Sequence, residues 1–453
     1  MRIDFKNEVL KRKDDFLKDL QSLIEINSEL TSYDPMRVGM PFGPGPREVL
    51  DKMLEIGEKD GFNVLNVDGY AGHIEYGHQQ DYVAILGHLD VVPAGSDWTY
   101  PPYELTIVNN KLYGRGVEDD KGPTLAAYYA MKILKDLNIS LSKRIKLIIG
   151  TDEESGSRCM RHYLKKHPEV PVSGFVPDAD FPLIYAEKGI LRVDIRGSII
   201  DDNIVSIDAG LRANMVPDQV NVVFKGNLVD EIKLIDDKLS PTFENNQTKL
   251  RISGKSAHGS TPELGENAVF NLLRLTDKLN LTGGILHILG TYFFEDTTGK
   301  SLGIDTVCPE TGKLTENLGI LKYDGQELLI TLDIRYPKGI TYKQIVDNIK
   351  LRLNKYELDV TRSTNSDMLY VSPQSDLVQT LLKVYKKHTG DKTAKPMVIG
   401  GGTYARSIPN VVAFGPHMPG RPSFIHQKDE YMLLDDLLLA TIIYLESLYE
   451  LAK

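Results

Sequence analysis

Apolar runs and stretches with helical periodicity alternate along the first part of the chain. The pattern predicts helices at about 7–26, 47–60, 122–137 and 157–166, and strands at 63–67, 82–87 and 144–150. Strands that alternate with helices are typical of an α/β fold, a mostly parallel sheet with helices on both faces. Ligands of such sheets bind beyond the carboxyl ends of the strands. A functional site is therefore expected at that edge.

The pattern changes after Glu187-Lys188-Gly189, where apolar and polar residues begin to alternate. It predicts strands at 191–195, 220–224, 248–254 and 328–334, with helices at 266–279 and 341–354. Antiparallel strands with a few helices indicate an inserted α+β domain. A helix at 376–388, a strand at 411–414 and a helix at 432–451 then return to the first domain. We predict a discontinuous first domain, 1–186 with 377–453, and an inserted domain, 187–376.

Acidic and imidazole side chains gather in several clusters, some of them directly after predicted strands. The clusters are His88-Leu89-Asp90, Gly114 to Pro123, Asp152-Glu153-Glu154, Pro177-Asp178-Ala179-Asp180 and Phe424 to Glu430. An i, i+2 pair on a strand points to one side, so Asp90 can orient His88 as a metal ligand. Each cluster alone is explained more simply as a charged turn. Their recurrence favours a shared site.

In combination, these motifs resemble the co-catalytic zinc peptidase family that contains aminoacylases, succinyl-diaminopimelate desuccinylases, glutamate carboxypeptidases and carnosinases. The resemblance runs from about Leu23 to the C-terminal helix, and within the family the sequence most resembles the bacterial dipeptidase V group. It implies two divalent metal ions, most simply Zn, with Mn or Co also compatible with imidazole and carboxylate ligands. The ligands it implies are His88 and Asp178 on one metal, Glu154 and His426 on the other, and Asp119 between them.

The resemblance also assigns the chemistry of the neighbouring residues. It implies Glu153 as the general base and Asp90 as the clamp on His88. Two ions roughly 3.5–4 Å apart can share a hydroxide and polarise a scissile carbonyl, and Glu153 would carry the proton to the leaving amine. Asp119 is chosen over Asp120 because the family has an Asp two residues before Lys-Gly. Spacing alone leaves the two open.

The inserted domain, the lid of this family, carries substrate-side candidates. His258, in Ser256-Ala257-His258-Gly259-Ser260, resembles the lid histidine that stabilises the oxyanion. Asn214 resembles a substrate-side asparagine, and Arg335 could bind a carboxylate with its guanidinium. A further candidate, Gly401, lies in the predicted first domain, where Gly400-Gly401-Gly402 resembles a loop whose N–H groups face the substrate's carboxylate. Taken alone, His258 and the glycine loop are more simply explained as turns, and Asn214 and Arg335 are explained equally well as turn or surface residues.

Composition excludes several other classes of protein. The formal net charge of −10 and pI of about 5.6 argue against a nucleic-acid or anionic-membrane surface. Cys159 and Cys308 form no Cys-x-x-Cys pair, so thiolate zinc sites are not expected and the compartment is expected to be reducing. The chain has no apolar signal core and no apolar stretch that could span a bilayer. We expect a cytoplasmic location.

Three functions compete at this point. The first is a dipeptidase that recognises a free C-terminal carboxylate, and the second is a deacylase of N-acyl amino acids. The third is a metal-stabilised binding protein, which the intact Glu153 and ligand set disfavour. The long inserted domain, including an added stretch at 281–322, favours the dipeptidase. That stretch is long enough to replace a partner's surface, so we expect a monomer that acts on a dipeptide.

Overall fold

A computed structural model describes residues 3–453. The helices are α1 (Phe5–Leu10), α2 (Lys13–Ile24), α3 (Pro44–Lys59), α4 (Lys121–Asp136), α5 (Arg158–Lys166), α6 (Val229–Ile235), α7 (Ala268–Lys278), α8 (Gly284–Tyr292), α9 (Tyr342–Leu353), α10 (Asp376–Thr389) and α11 (Leu434–Ala452). The strands are β1 (Asn63–Val67), β2 (Ala71–Tyr76), β3 (Tyr82–His88), β4 (Thr106–Val108), β5 (Lys111–Tyr113), β6 (Arg144–Gly150), β7 (Ser173–Val176), β8 (Ala179–Asp180), β9 (Ile184–Glu187), β10 (Gly189–Ser198), β11 (Ile204–Ala209), β12 (Gln219–Lys225), β13 (Thr242–Glu244), β14 (Gln247–Ser253), β15 (Val307–Cys308), β16 (Gly312–Lys313), β17 (Thr315–Tyr323), β18 (Glu327–Tyr336), β19 (Asp359–Ser366), β20 (Leu369–Tyr370), β21 (Met397–Ile399), β22 (Val411–Ala413), β23 (Pro416–His417) and β24 (Tyr431–Leu433).

The chain forms two compact units. The first unit comprises the residues up to Ala186 together with Leu369–Met397 and Gly402–Lys453. The inserted unit comprises Glu187–Met368 and Val398–Gly401. Each unit has its own sheet, and the two are described separately below.

The first unit is built on a sheet with a parallel centre and antiparallel edges. Its strands lie in the order β1-β2-β6-β3-β7-β22-β9-β20, and β3 pairs in parallel with both β6 and β7. Every residue of β3 is buried, which explains its continuous apolar sequence. The strand ends at His88, opposite Gly150 of β6. Two of the acid and imidazole clusters therefore begin at one edge of the sheet.

Helices cover both faces of this sheet. On one face, Gly87 lies directly against Thr124 of α4 and Gly72 against leucines of α3. On the other face, His73 Nδ1 lies 2.8 Å from the Tyr163 hydroxyl of α5. The predicted α/β class is confirmed, because helices on both faces bury the parallel strands completely.

The inserted unit is an antiparallel α+β structure. Its main sheet has the order β13-β14-β12-β11-β17-β18-β10-β19, and its neighbouring strands pair antiparallel, as β17 and β18 do. Buried and exposed residues alternate along β14, as expected for a sheet with one face on a core. Helices α7 and α8 contribute leucine and isoleucine side chains to that core.

One local prediction was wrong, and one helix was missed. The helix predicted over 7–26 is two helices, α1 and α2, separated at Lys11 and Arg12. Arg12 donates to the Glu8 carboxylate and to Asp136, a contact that periodicity cannot reveal. Helix α8 was not predicted, because it is apolar along most of its length and lacks the polar face of an amphipathic helix. Within residues 3–453, no helix combines the length and the hydropathy that a membrane span requires.

Candidate active site

The first unit brings the predicted metal ligands together at the carboxyl edge of its sheet. His88 ends β3, Asp119 lies in the loop before α4, and Glu154 follows β6. Asp178 follows β7, and His426 lies in the loop before β24. Residues separated by more than 300 positions thus meet at the place where parallel strands deliver their side chains.

Asp119 lies between the two histidines. Its Oδ1 is 3.0 Å from His88 Nε2, and its Oδ2 is 3.1 Å from His426 Nε2. A second carboxylate accompanies each imidazole: Asp178 Oδ2 lies 3.6 Å from His88 Nε2, and Glu154 Oε1 lies 3.0 Å from His426 Nε2. The donors therefore form two groups that share Asp119. Ligand atoms of His88, Asp119 and Glu154 all lie within 4.8 Å of one another.

Asp90 fixes the orientation of its neighbours. Its backbone carbonyl lies 3.0 Å from His88 Nδ1, so the imidazole presents Nε2 to the site. Its carboxylate oxygens accept the backbone N–H groups of Glu153 and Glu154, each at 3.1 Å. Asp90 is fully buried. One side chain thus holds together the ends of β3 and β6.

Asp120 has a different place from its neighbour Asp119. Its Oδ2 accepts the backbone N–H of His88 at 3.1 Å and the Thr124 hydroxyl at 2.7 Å. The Asp120 carboxylate thus joins the end of β3 to the first turn of α4, whereas the Asp119 carboxylate faces both imidazoles. The structure therefore distinguishes two adjacent acids that spacing in the sequence left equivalent.

The cluster buries more negative than positive charge. Burial raises the pKa of Glu153 well above its usual range, and the charges of Asp178 and Glu154 add to this rise. Hydrogen bonds to Asp119 and Glu154 raise the pKa of His426 to about 10. Without metal, the cluster therefore retains protons that groups in water would have released. This imidazole and carboxylate donor set fits divalent cations, which replace those protons.

Glu430 is a supporting residue that the sequence analysis did not identify. It is fully buried, and its Oε1 accepts the backbone N–H groups of Gly116, Glu118 and Asp119 at 3.0, 2.9 and 3.3 Å. Its Oε2 accepts a 2.6 Å bond from Arg115. Because it follows His426 by four residues, Glu430 ties the loop of one ligand to the segment of another. Its position in a charged segment near His426 was the only sequence signal.

The inserted unit brings the remaining candidates together in two groups. His258 is joined to the Asn214 turn, because Gly259 donates its backbone N–H to the Asn214 carbonyl at 2.8 Å. Arg335 donates to both carboxylate oxygens of Asp333 and, at 2.7 Å, to the carbonyl of Gly400, which precedes Gly401. Asp333 was not predicted as a site residue. It holds the guanidinium of Arg335 beside the glycine loop.

Comparison with known proteins is decisive for the family. A family model described as Peptidase family M20/M25/M40 matches residues 84–450. The chain belongs to this family. It is therefore a hydrolase of the peptidase class, and the resemblance drawn from the motifs is confirmed.

Individual proteins match along the full length of the chain. YtjP of Bacillus subtilis (strain 168), named as a candidate dipeptidase, is 43% identical over 471 aligned positions that cover 100% of both chains. Human carnosine dipeptidase 1 has a TM-score of 0.58 at 16% identity and covers 98% of each chain. Aminoacylhistidine dipeptidase from Vibrio alginolyticus has a TM-score of 0.59 at 14% identity, over 97% of this chain and 96% of that one. At these identities the solved structures establish the fold.

The first prediction tests the metal ligands. We expect His426→Ala and Glu154→Ala each to lower the bound metal from about two ions per chain towards one, because each removes a donor from the same group. Elemental analysis after dialysis against limiting Zn would measure this. The control is His78→Ala, which changes an exposed histidine outside the cluster. Unchanged metal content in both ligand variants would show that the assignment is wrong.

The second prediction concerns Glu430. We expect Glu430→Gln to weaken metal binding about 10–100-fold, the usual effect of losing a residue that orients ligands. Titration of metal-free protein against a chelator of known affinity would give the dissociation constant. Glu104→Gln, at an exposed carboxylate, is the matched control. A lower melting temperature with unchanged metal affinity would restrict Glu430 to a structural role.

Proposed function

We propose that this M20 peptidase is a metal-dependent dipeptidase that hydrolyses dipeptides with a free C-terminal carboxylate. The observation that carries the proposal is the position of Asp119, whose two oxygens face the imidazoles of two separate donor groups. His88 and Asp178 would hold one cation, Glu154 and His426 the other, and Asp119 both. The cations, when bound, would lower the pKa of a water and polarise the scissile carbonyl.

Glu153 is the proposed general base. Within residues 3–453, no hydrogen bond was found to its carboxylate, whereas the adjacent Glu154 carboxylate faces His426. Its backbone N–H is fixed by Asp90 at 3.1 Å, so the side chain projects from an anchored position. Burial raises its pKa, which favours a carboxylate that takes a proton from the attacking water and then donates it to the nitrogen of the leaving amine.

The proposed carboxylate site consists of Arg335 and the loop around Gly401. A guanidinium has five N–H donors, and three are used in the bonds of Arg335 to Asp333 and Gly400. Among the described residues the other two donors have no partner, so they could bind an anion, and Asp333 keeps the guanidinium plane in place. Glycines let a backbone approach a ligand closely. These contacts support recognition of a terminal carboxylate.

His258 is proposed to stabilise the oxyanion, and Asn214 to bind the substrate next to it. The backbone N–H of Ser260 donates to His258 Nδ1 at 3.2 Å, which leaves Nε2 as the protonated nitrogen. Partial burial and the charge of Arg335 lower the pKa of His258, so the ring is neutral near neutral pH. A neutral imidazole with Nε2–H is a suitable hydrogen-bond donor to a developing oxyanion.

The alternative function is removal of an acyl group from an N-acyl amino acid by the same residues. Names of relatives favour the dipeptidase, since YtjP is named as a candidate dipeptidase and two similar folds belong to dipeptidases. A binding protein without activity is disfavoured by the intact Glu153. Zn is proposed as the metal, with Mn and Co as candidates.

The third prediction tests the general base. Glu153→Gln should keep its metals but lower kcat by about 10²–10⁴-fold, because the amide cannot accept a proton. Metal content and turnover would be measured on the same preparation. Glu58→Gln, which changes an exposed carboxylate at the end of α3, is the control for an amide substitution. Near-normal turnover in Glu153→Gln would refute the assignment.

The fourth prediction tests recognition of the carboxylate. A dipeptide amide should be a much poorer substrate than the free dipeptide, since an amide leaves the two guanidinium donors without their anion. The kcat/KM for the two compounds should differ by at least about 10²-fold. N-acyl amino acids in the same panel distinguish the deacylase. Efficient cleavage of the amide, or of a tetrapeptide, would contradict the dipeptidase proposal.

A further inference from the structure

A second buried acid lies in the inserted unit, outside the catalytic cluster. Glu316 of β17 is 1% exposed, and neither of its carboxylate oxygens has a hydrogen-bond partner among the described residues. Leu318, two positions further along the strand, belongs to the hydrophobic core, so Glu316 points to the core face of the sheet. A buried carboxylate without a partner is costly, so it requires either a proton or a cation.

A cavity of about 200 Å³ reaches Glu316 and Leu318 from the surface. Three further glutamates line it, and all are exposed, so they lie towards its mouth: Glu263, Glu266 and Glu295. Asn267 and Thr297 add polar atoms to its walls. The cavity therefore becomes more negative towards the solvent, with a carboxylate at its inner end.

No cationic side chain within residues 3–453 forms an ion pair or hydrogen bond with Glu316. Among the described residues that line the cavity, the cationic one is Arg274, and it is held at the rim by Glu295 at 2.5 Å and by Asn271. Burial raises the pKa of Glu316, and the negative charge of Asp296 adds to this rise. The Glu316 carboxylate lies close to the backbone of Gly299. A Cβ atom on residue 299 would lie only 2.9 Å from Glu316 Oε2.

We propose that this cavity binds a compact monovalent cation, an alkali ion or a primary ammonium group, with Glu316 as its anionic ligand. A divalent ion is less suited, because the described residues assemble three or more close acid, imidazole or thiol donors at His88, Asp119 and Glu154 and not here. The volume accommodates a partly hydrated K⁺ or Na⁺ or a methylammonium ion. An alkali ion and a primary ammonium group would be bound for the same reason, because each is a small positive charge.

The cavity is linked to the substrate-side turns. Asn317, next to Glu316, donates its side-chain N–H groups to the carbonyls of Ala213 and Met215, both at 2.9 Å, and these flank Asn214. A cation that orders β17 at Glu316 would therefore also order the Asn214 turn. This extension rests on the proposed function and predicts a lower KM for dipeptides in the presence of the cation.

The test is thermal unfolding of the metal-loaded protein at constant ionic strength. Tetramethylammonium chloride, whose cation is too bulky for the site, is replaced stepwise by KCl, NaCl or methylammonium chloride. We expect one of the small cations to raise Tm by about 1–2 °C at several times its Kd. Glu316→Gln should lose this response, whereas Glu231→Gln, at an exposed carboxylate of α6, should keep it.

Crystals soaked in Tl⁺ or Rb⁺ give a second, independent measurement. An anomalous peak beside Glu316, absent in Glu316→Gln, supports the site even if the enzyme proves to act on another substrate. A wild-type Tm that is indifferent to every small cation, with Glu316→Gln equally stable, would show a protonated acid and overturn the proposal. Stabilisation that only Ca²⁺ or Mg²⁺ produces would overturn its monovalent assignment.

Discussion

Negative charge converges at the carboxyl edge of the parallel sheet, and the cost of burying it is the constraint on which the rest of the site depends. The carboxylates of Asp119, Glu154 and Asp178 surround two imidazoles. Their oxygens lie 3.0–3.6 Å from the Nε2 atoms of His88 and His426. Such a cluster is stable only with added positive charge. The surrounding residues can be understood as the means of holding these carboxylates in place until cations neutralise them.

Scaffold carboxylates supply much of that support by accepting backbone N–H groups. Asp90 binds the Glu153 and Glu154 amides, and Glu430 binds three amides of the loop that ends in Asp119. Each anion is satisfied by several donors, so its burial is tolerated. These bonds anchor the loops that follow β3 and β6 and the segments that precede α4 and β24, from which the ligand side chains project.

Much of this could be predicted from sequence, because the signals were local. Apolar runs mark β3 and β6, and the acids directly after them lie where parallel strands deliver ligands. The sequence could not reveal that Glu430 bonds to Gly116, more than 300 positions away, since nothing local marks such a contact. Likewise, the sequence shows Asp333 only as a polar residue in a strand, and the structure shows that it accepts a hydrogen bond from Arg335. The cytoplasmic location, the monomeric state and the domain boundaries stay predictions.

Hydrogen bonding separates scaffold acids from ligand acids more sharply than burial does. Asp90, Asp119 and Glu430 are all largely or fully buried, yet only Asp119 has both oxygens directed at imidazoles that could carry metals. A buried carboxylate whose oxygens accept backbone amides is part of the scaffold, and one without such donors awaits a cation or a proton. Applied to the inserted unit, the same criterion singles out Glu316, which accepts no bond and lies at the end of an acidic cavity. The inserted unit, to which we assign substrate binding, thus contains a buried charge without a partner among the described residues, and the proposed small cation would neutralise it.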